Sequence, residues 1–445
     1  MPETQEVVHA LFCDFFERGI RYFFPDAELR ATGSAEETRP SLIFHHRTDG
    51  GLELEWMGVR YDCRRSGRSF TEDQLRLIGA IGAVLSVRYR SIFHAASAAT
   101  PRAFAGLAED RFVSAFLDHT RYLDENELPA ARNIVADAIE VLRESSLLTY
   151  ENRRISTGVI LVGAGDDPYK RVREMPLGAL PYTSSLVAIK SFHRLCDGLN
   201  TVFLVNRDGM LVDLVDIEQF SNACGASQLP VPSPARYRAH CLGTLFCGHI
   251  CLVLTPNGEI KVFAGGVQAF HFLEGRWKLT DIREKYHEFR KAVGDRALAE
   301  RLFAVSMNLA ESRRGGLFVL LDEPESAQGL VAPMDLLEKN LMESGLTGTY
   351  QKAQVHYLLR TKHLLELETS VLECIARVDG GIVMDRMGRL LAFGAILRHT
   401  GASWAAQDGG RTTAAVHASR FGLAIKISED GMVSFYRNGS QVWEI

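Results

Sequence analysis

The chain has 445 residues, a net charge of -5 and 46% hydrophobic side chains. That length suits about two to four domains, the composition is that of a globular protein, and the charge gives no whole-chain argument for nucleic acid or an acidic membrane surface as partner. No stretch approaches the roughly 18 uncharged apolar residues of a membrane span, Met1 to Glu6 lack the basic start of a signal peptide, and eight irregularly spaced cysteines suit reduced thiols in the cytoplasm.

Leu52, Leu54 and Trp56 alternate as a strand does, Arg64-Arg65-Ser66-Gly67 makes a turn, and Thr71 stands as N-cap of a helix with Glu72 and Asp73 in its first turn. Leu75, Leu77, Ile78, Ile81, Leu85 and Val87 continue at helical spacing. Residues 1–95 therefore read as a small α+β domain, followed by a small, polar linker from Ala95 to Pro101. Helix is expected between Phe112 and Leu148, with Ile134, Ala138, Ile139, Val141 and Leu142 on a buried face. Gly158 to Gly163 reads as a short buried strand, matched later by Gly315 to Leu321 behind a helix carrying Leu302, Val305, Met307 and Leu309. The fold class is α/β (α+β), with two modules of mixed sheet and flanking helices at 105–280 and 285–445, joined by the charged run from Arg276 to Arg290.

The two modules repeat one design. The first runs Asp197-Gly198-Leu199, a hydrophobic segment ending at Arg207-Asp208-Gly209, then Arg236-Tyr237-Arg238, then a hairpin of Ile250–Leu254 and Glu259–Phe263 around Pro256-Asn257-Gly258. The second runs Asp379-Gly380-Gly381, Ile382–Asp385 with a turn at Met387-Gly388, then Gly410-Arg411-Thr412-Thr413-Ala414-Ala415, then a hairpin of Leu423–Ile427 and Met432–Tyr436 around Glu429-Asp430-Gly431. A repeat of this size is one supersecondary unit used twice.

Its chemistry suits phosphate. A phosphoryl-transfer site uses a carboxylate to hold Mg²⁺ or Mn²⁺ and cations to neutralise pyrophosphate. Glycine after the acid lets backbone approach a ligand, and arginines offer planar forks to phosphate oxygens. Asp197 with Arg236 and Arg238 meets all three needs; Asp379 with Arg411 meets part of them. As structure alone, Asp-Gly is an ordinary turn pair, and Arg60, Arg64, Arg65 and Arg68, like Arg313 and Arg314, read as solvated faces. His240, Cys241, Cys247, His249 and Cys251 fit no standard zinc spacing, and the last three alternate as on one strand face. Gly163-Ala164-Gly165-Asp166-Asp167-Pro168 lacks the further residues of a dinucleotide or P-loop fingerprint and reads as a strand-to-helix turn.

Asp197-Gly198 with Arg236-Tyr237-Arg238-Ala239, and Asp379-Gly380 with Gly410-Arg411 and Ala414-Ala415, resemble the Asp-Gly-Ala and Gly-Thr-Arg-His-Arg-Ala-Ala motifs of the diadenylate cyclase (DAC) domain. The segment Arg313–Asp335 resembles the part ahead of the first motif, and Phe70–Arg90 resembles the closing helix of GAF-type sensor domains. The resemblance implies Asp197 and Asp379 as catalytic, metal-binding acids. It implies Gly198, Leu199, Arg236, Tyr237, Arg238, Gly380, Gly381, Arg411, Thr412 and Thr413 around an adenine nucleotide. Leu199 and Gly381 replace the motif alanine; Tyr237, Thr412 and Thr413 replace the histidine and the second arginine. With neither copy intact, the expected function is a sensor of adenine nucleotide or cyclic dinucleotide acting on a separate effector protein. The alternatives are an active cyclase making cyclic di-AMP from two ATP with Mg²⁺ or Mn²⁺, and a structural or interaction protein that kept the fold and lost the ligand. The modules would pair as an intramolecular pseudo-dimer or in a homo-oligomer.

Overall fold

The computed structural model describes residues 2–34, 40–46, 51–65, 68–93, 104, 106–118, 133–163, 179–189, 192–337, 356, 358–359, 361–398 and 409–445. The linker expected at Ala95–Pro101 and the loop 164–168 lie outside them. The fold is mixed α/β, and the chain divides into two compact units. One holds Met1–Leu229 and Ala239–Asp281; the other holds Pro230–Arg238 and Ile282–Ile445. The 1–95 segment thus shares a unit with most of 105–280, and the boundary falls inside the charged run 276–290, which forms a strand and then the helix Ile282–Val293.

The first unit begins with the helix Pro2–Phe23 and an antiparallel sheet of β1 (Ala27–Ser34), β2 (Leu42–His46), β3 (Leu52–Trp56) and β4 (Val59–Arg65), in the order β1-β4-β3-β2. Leu52, Leu54 and Trp56 alternate inward, so period two decides the buried face. Met57 and Gly58, both at positive φ, make the two-residue turn between β3 and β4. The helix Glu72–Phe93 opens as expected: Thr71 Oγ1 accepts from Gln74 N at 3.2 Å, and the same hydroxyl donates to the buried Asp281 carboxylate. One continuous core runs from Phe12 and Trp56 through Ile139 and Val159 to Phe270 and Trp277.

After the short hairpin of β5 (Thr149–Tyr150) and β6 (Arg153–Arg154), this unit adds a sheet of β7 (Thr157–Leu161), β8 (Leu180–Pro181), β9 (Thr201–Val205), β10 (Met210–Asp216), β11 (Ile250–Leu254), β12 (Ile260–Ala264), β13 (Val267–Leu273) and β14 (Arg276–Leu279). Its order is β14-β13-β12-β11-β7-β9-β10-β8. The second unit carries β15 (Gly316–Leu321), β16 (Gly381–Asp385), β17 (Leu390–Ala395), β18 (Gly422–Ile427), β19 (Val433–Arg437) and β20 (Ser440–Glu444), ordered β17-β16-β15-β18-β19-β20. β7 and β15 are buried at every position, as in a strand covered on both faces.

The central strands β13-β12-β11-β7-β9-β10 repeat the topology of β20-β19-β18-β15-β16-β17; β8 and β14 are additions at the edges of the first sheet. β7 pairs parallel with β9 and antiparallel with β11; β15 pairs parallel with β16 and antiparallel with β18. Their turns are also chemically matched. Asn206 Oδ1 accepts from the amides of Asp208 and Met210, as Asp385 Oδ1 does from Met387 and Arg389. Thr255 Oγ1 accepts from Glu259 N and Ser428 Oγ from Met432 N. Gly265-Gly266 and Asn438-Gly439, at positive φ, close the next hairpins. The duplication extends from strand order down to single hydrogen bonds.

Candidate phosphate-binding site

Both Asp-Gly pairs lie at the N-terminal ends of the parallel strand pairs, but in different settings. Asp197 stands four positions before β9 and caps its own loop. Its Oδ1 accepts from the amides of Leu199 and Asn200 at 2.8 Å and of Thr201 at 3.0 Å, and its Oδ2 from Asn200 Nδ2 at 2.6 Å. Partial burial pushes the carboxyl up; the bonds from Thr201, Asn200 and Leu199 outweigh it and hold it below its ordinary range. Gly198, at φ 74, lies so close to β7 that a Cβ there would overlap the Thr157 carbonyl, 2.6 Å from its carbon. Its own carbonyl meets Nε2 of the buried His240 at 2.9 Å. Leu199 is half-buried.

Asp379 stands two positions before β16, is exposed, and its carboxylate makes no hydrogen bond or ion pair among the described residues. Gly380 (φ 105) lies against the backbone of Gly394 and Ala395, and Gly381 pairs with Ala395. Arg411 reaches the same sheet end from the first turn of the helix Gly410–Ala418. Its guanidinium lies where a side chain on Gly315 would sit, and Nη1 donates to Glu429 Oε1 at 3.1 Å. Thr412 and Thr413 are half-buried in that turn, where their amide groups bond to the Gly409 carbonyl.

Arg236, Tyr237 and Arg238 belong to the second unit, whereas Asp197 belongs to the first. Ala235 N donates to Asn308 Oδ1 at 2.7 Å, and Arg236 Nη1 is 3.9 Å from Glu311 Oε1. Tyr237 is buried with the Arg236 guanidinium 5.9 Å from its ring centre, and both arginines are exposed. Asn308 Nδ2 donates in turn to Glu373 Oε1 at 2.7 Å, and Arg377 lies 3.8 Å from that carboxylate. Asp379 and Arg411 thus border the ends of β16 and β15, while Arg236 lies beside Glu311.

No three His, Cys, Asp or Glu side chains gather to hold a metal among the described residues. Mg²⁺ needs no such set when one carboxylate and a nucleotide's own phosphates supply its oxygens. Asp379 fits that role, whereas Asp197 has given most of its lone pairs to its loop. Cys247, at φ 60, and His249 precede β11, so only Cys251 of the alternating trio is in a strand; His249 Nδ1 accepts from Gly163 N at 3.1 Å. The sequence assigns no role to Asn200 or Glu311, sets His240 among residues that fit no zinc spacing, and places Glu429 only in a turn. Asn200 and Thr201 carried a signal in the Asp-Gly-Leu-Asn-Thr string, since short polar residues after an aspartate favour an Asx turn; the partners distant in sequence carried none.

No protein-family model matches the chain, and no curated protein matches it. Among solved structures it is similar to a hypothetical membrane-spanning protein from Bacillus cereus, at 20% identity over 36% of this chain and 70% of that one, with a TM-score of 0.26. It is also similar to a double mutant of DacA from Staphylococcus aureus, at 16% identity over 35% of this chain and 87% of that one, with a TM-score of 0.21. Neither likeness bears on activity at such scores. No helix of the described residues is long and apolar enough to cross a membrane.

Proposed function

We propose that this chain binds an adenine nucleotide or cyclic dinucleotide and acts as a regulator rather than as a fast catalyst. The observation that carries the reading is the twice-built sheet end, where the Asp-Gly motifs resembling the DAC domain stand in one shared topology. Bound phosphates would meet Arg411 in the first turn of its helix, whose N-terminal end is a favourable place for an anion. Asp379 would hold Mg²⁺ or Mn²⁺, which supplies charge neutralisation when a triphosphate is bound.

Two features favour binding over turnover. Asp197 is committed to its own loop, which leaves the first unit's acid poorly placed to take a metal. Thr412 and Thr413 bring no charge to a reaction whose transition state needs cations. One missing charge-assisted bond costs about 1.5–3 kcal/mol. A regulator of this kind passes its state to a separate effector protein.

Titration calorimetry of the full chain with ATP and with cyclic di-AMP tests the reading, with binding of at least one expected. Absence of binding to both would end it. If incubation with ATP and Mn²⁺ instead yields cyclic di-AMP, and Asp379→Asn abolishes the product, the chain is an enzyme and the regulatory reading is replaced.

A further inference from the structure

The helix Pro2–Phe23 buries Phe12, Phe16 and Ile20 in the core of the first unit, and Trp56 Nε1 donates to its Phe12 carbonyl at 3.3 Å. Beside that face stands a second apolar row. Val7, Leu11 and Phe15, spaced four apart, are 68%, 45% and 38% exposed. The row continues onto the helix Glu72–Phe93: the Phe12 ring lies 5.6 Å from Phe15 and 5.3 Å from Tyr89, and Tyr89 lies 4.8 Å from the exposed Phe93. Apolar side chains contiguous across two helices mark a contact surface, whereas single exposed ones do not. Asp14 and Arg18 edge the row, 2.9 Å apart and both reaching water.

We propose that this face is the interface of a homodimer, in which the helix Pro2–Phe23 of one copy packs on the same helix of a second copy. The inference does not rest on the nucleotide reading, and the helix is part of neither Asp-Gly module. Residues four apart form a ridge, and two such ridges pack into each other's grooves with the helix axes crossing at about −50°. A two-fold axis makes every such contact occur twice. Antiparallel helices then bring Asp14 of each copy towards Arg18 of the other, so one acid and one base make the face complementary to itself. A lipid surface is a poorer occupant. Between Glu6 and Phe23 the helix carries three acids and two arginines, whereas a helix lying on anionic lipid is rich in cations. Because the core already fixes the helix, association orders no new backbone.

Sedimentation equilibrium of the full chain tests the proposal, with a dimer expected for the wild type at about 100 μM. Leu11→Glu combined with Phe15→Glu should weaken association about tenfold or more while melting stays unchanged, since neither side chain is buried. Asp14→Arg should also weaken it by setting like charges opposite each other, and Asp14→Arg combined with Arg18→Asp should restore it. A wild-type chain that stays monomeric overturns the proposal, as does a dimer that the double glutamate variant and Asp14→Arg both retain at full affinity. Flotation of the wild type with vesicles of phosphatidylcholine and phosphatidylserine, lost in the double glutamate variant, would give the face to lipid and also overturn it.

Discussion

Replacing Gly198 with alanine puts a methyl group against a fully buried strand. At φ 74 an L-residue pays about 1–2 kcal/mol for the left-handed conformation. The new Cβ would overlap the Thr157 carbonyl and come within 3.1 Å of Gly158 N. Both are backbone atoms of β7, so relief requires the Asp197–Thr201 turn to move off the sheet, a small-to-large strain of about 1–3 kcal/mol. Together these give about 2–5 kcal/mol. Gly225→Ala is the control: φ is 72, but nothing lies within 4 Å of its Cβ, leaving the conformational cost alone. Hydrogen exchange followed by mass spectrometry reads opening of β7 and β9 directly, without assuming that the chain unfolds in one step. The expected result is a loss of protection in both strands for Gly198→Ala and none for Gly225→Ala. Equal exchange in the two variants would refute the close approach of the turn to β7.

Gly315→Ala should separate binding from stability, because its Cβ collides with the movable end of the Arg411 side chain. Melting should change little, while calorimetry should show weaker binding of ATP; unaltered affinity would remove Arg411 from the phosphate contacts. Asp197→Ala should lower protection of the Leu199, Asn200 and Thr201 amides by about 1 kcal/mol, the usual worth of a capping side chain. In the wild type, the folded carboxyl titrates below its unfolded value near about 3.9, so its support is complete above that pH and fades as pH falls through the lower folded value. Amide NMR signals of this loop that stay unchanged down to pH 2 would contradict that ordering.

Local chemistry made much of this fold legible. The Thr71 cap, the alternation of Leu52 to Trp56, and the turns at Arg207-Asp208-Gly209 and Glu429-Asp430-Gly431 are set by residues close in sequence, and each appears in place. β7 and β15 were readable because short apolar runs bounded by glycine or turns leave few alternatives. The destination of Arg236 was not, since its partner Glu311 is distant in sequence and no local pattern encodes that encounter. Asp197 shows another limit: the same carboxylate can hold a metal or fold its own turn, and only the neighbouring amides decide which bonds it makes.

The crossing of Pro230–Arg238 into the second unit has a practical bearing on dissection. A protease cut or gene truncation at Asp281 would not yield two finished pieces. The downstream fragment would leave behind the strand of chain that neighbours Asn308 and Glu311, and a stable excised half has to carry that borrowed segment with it.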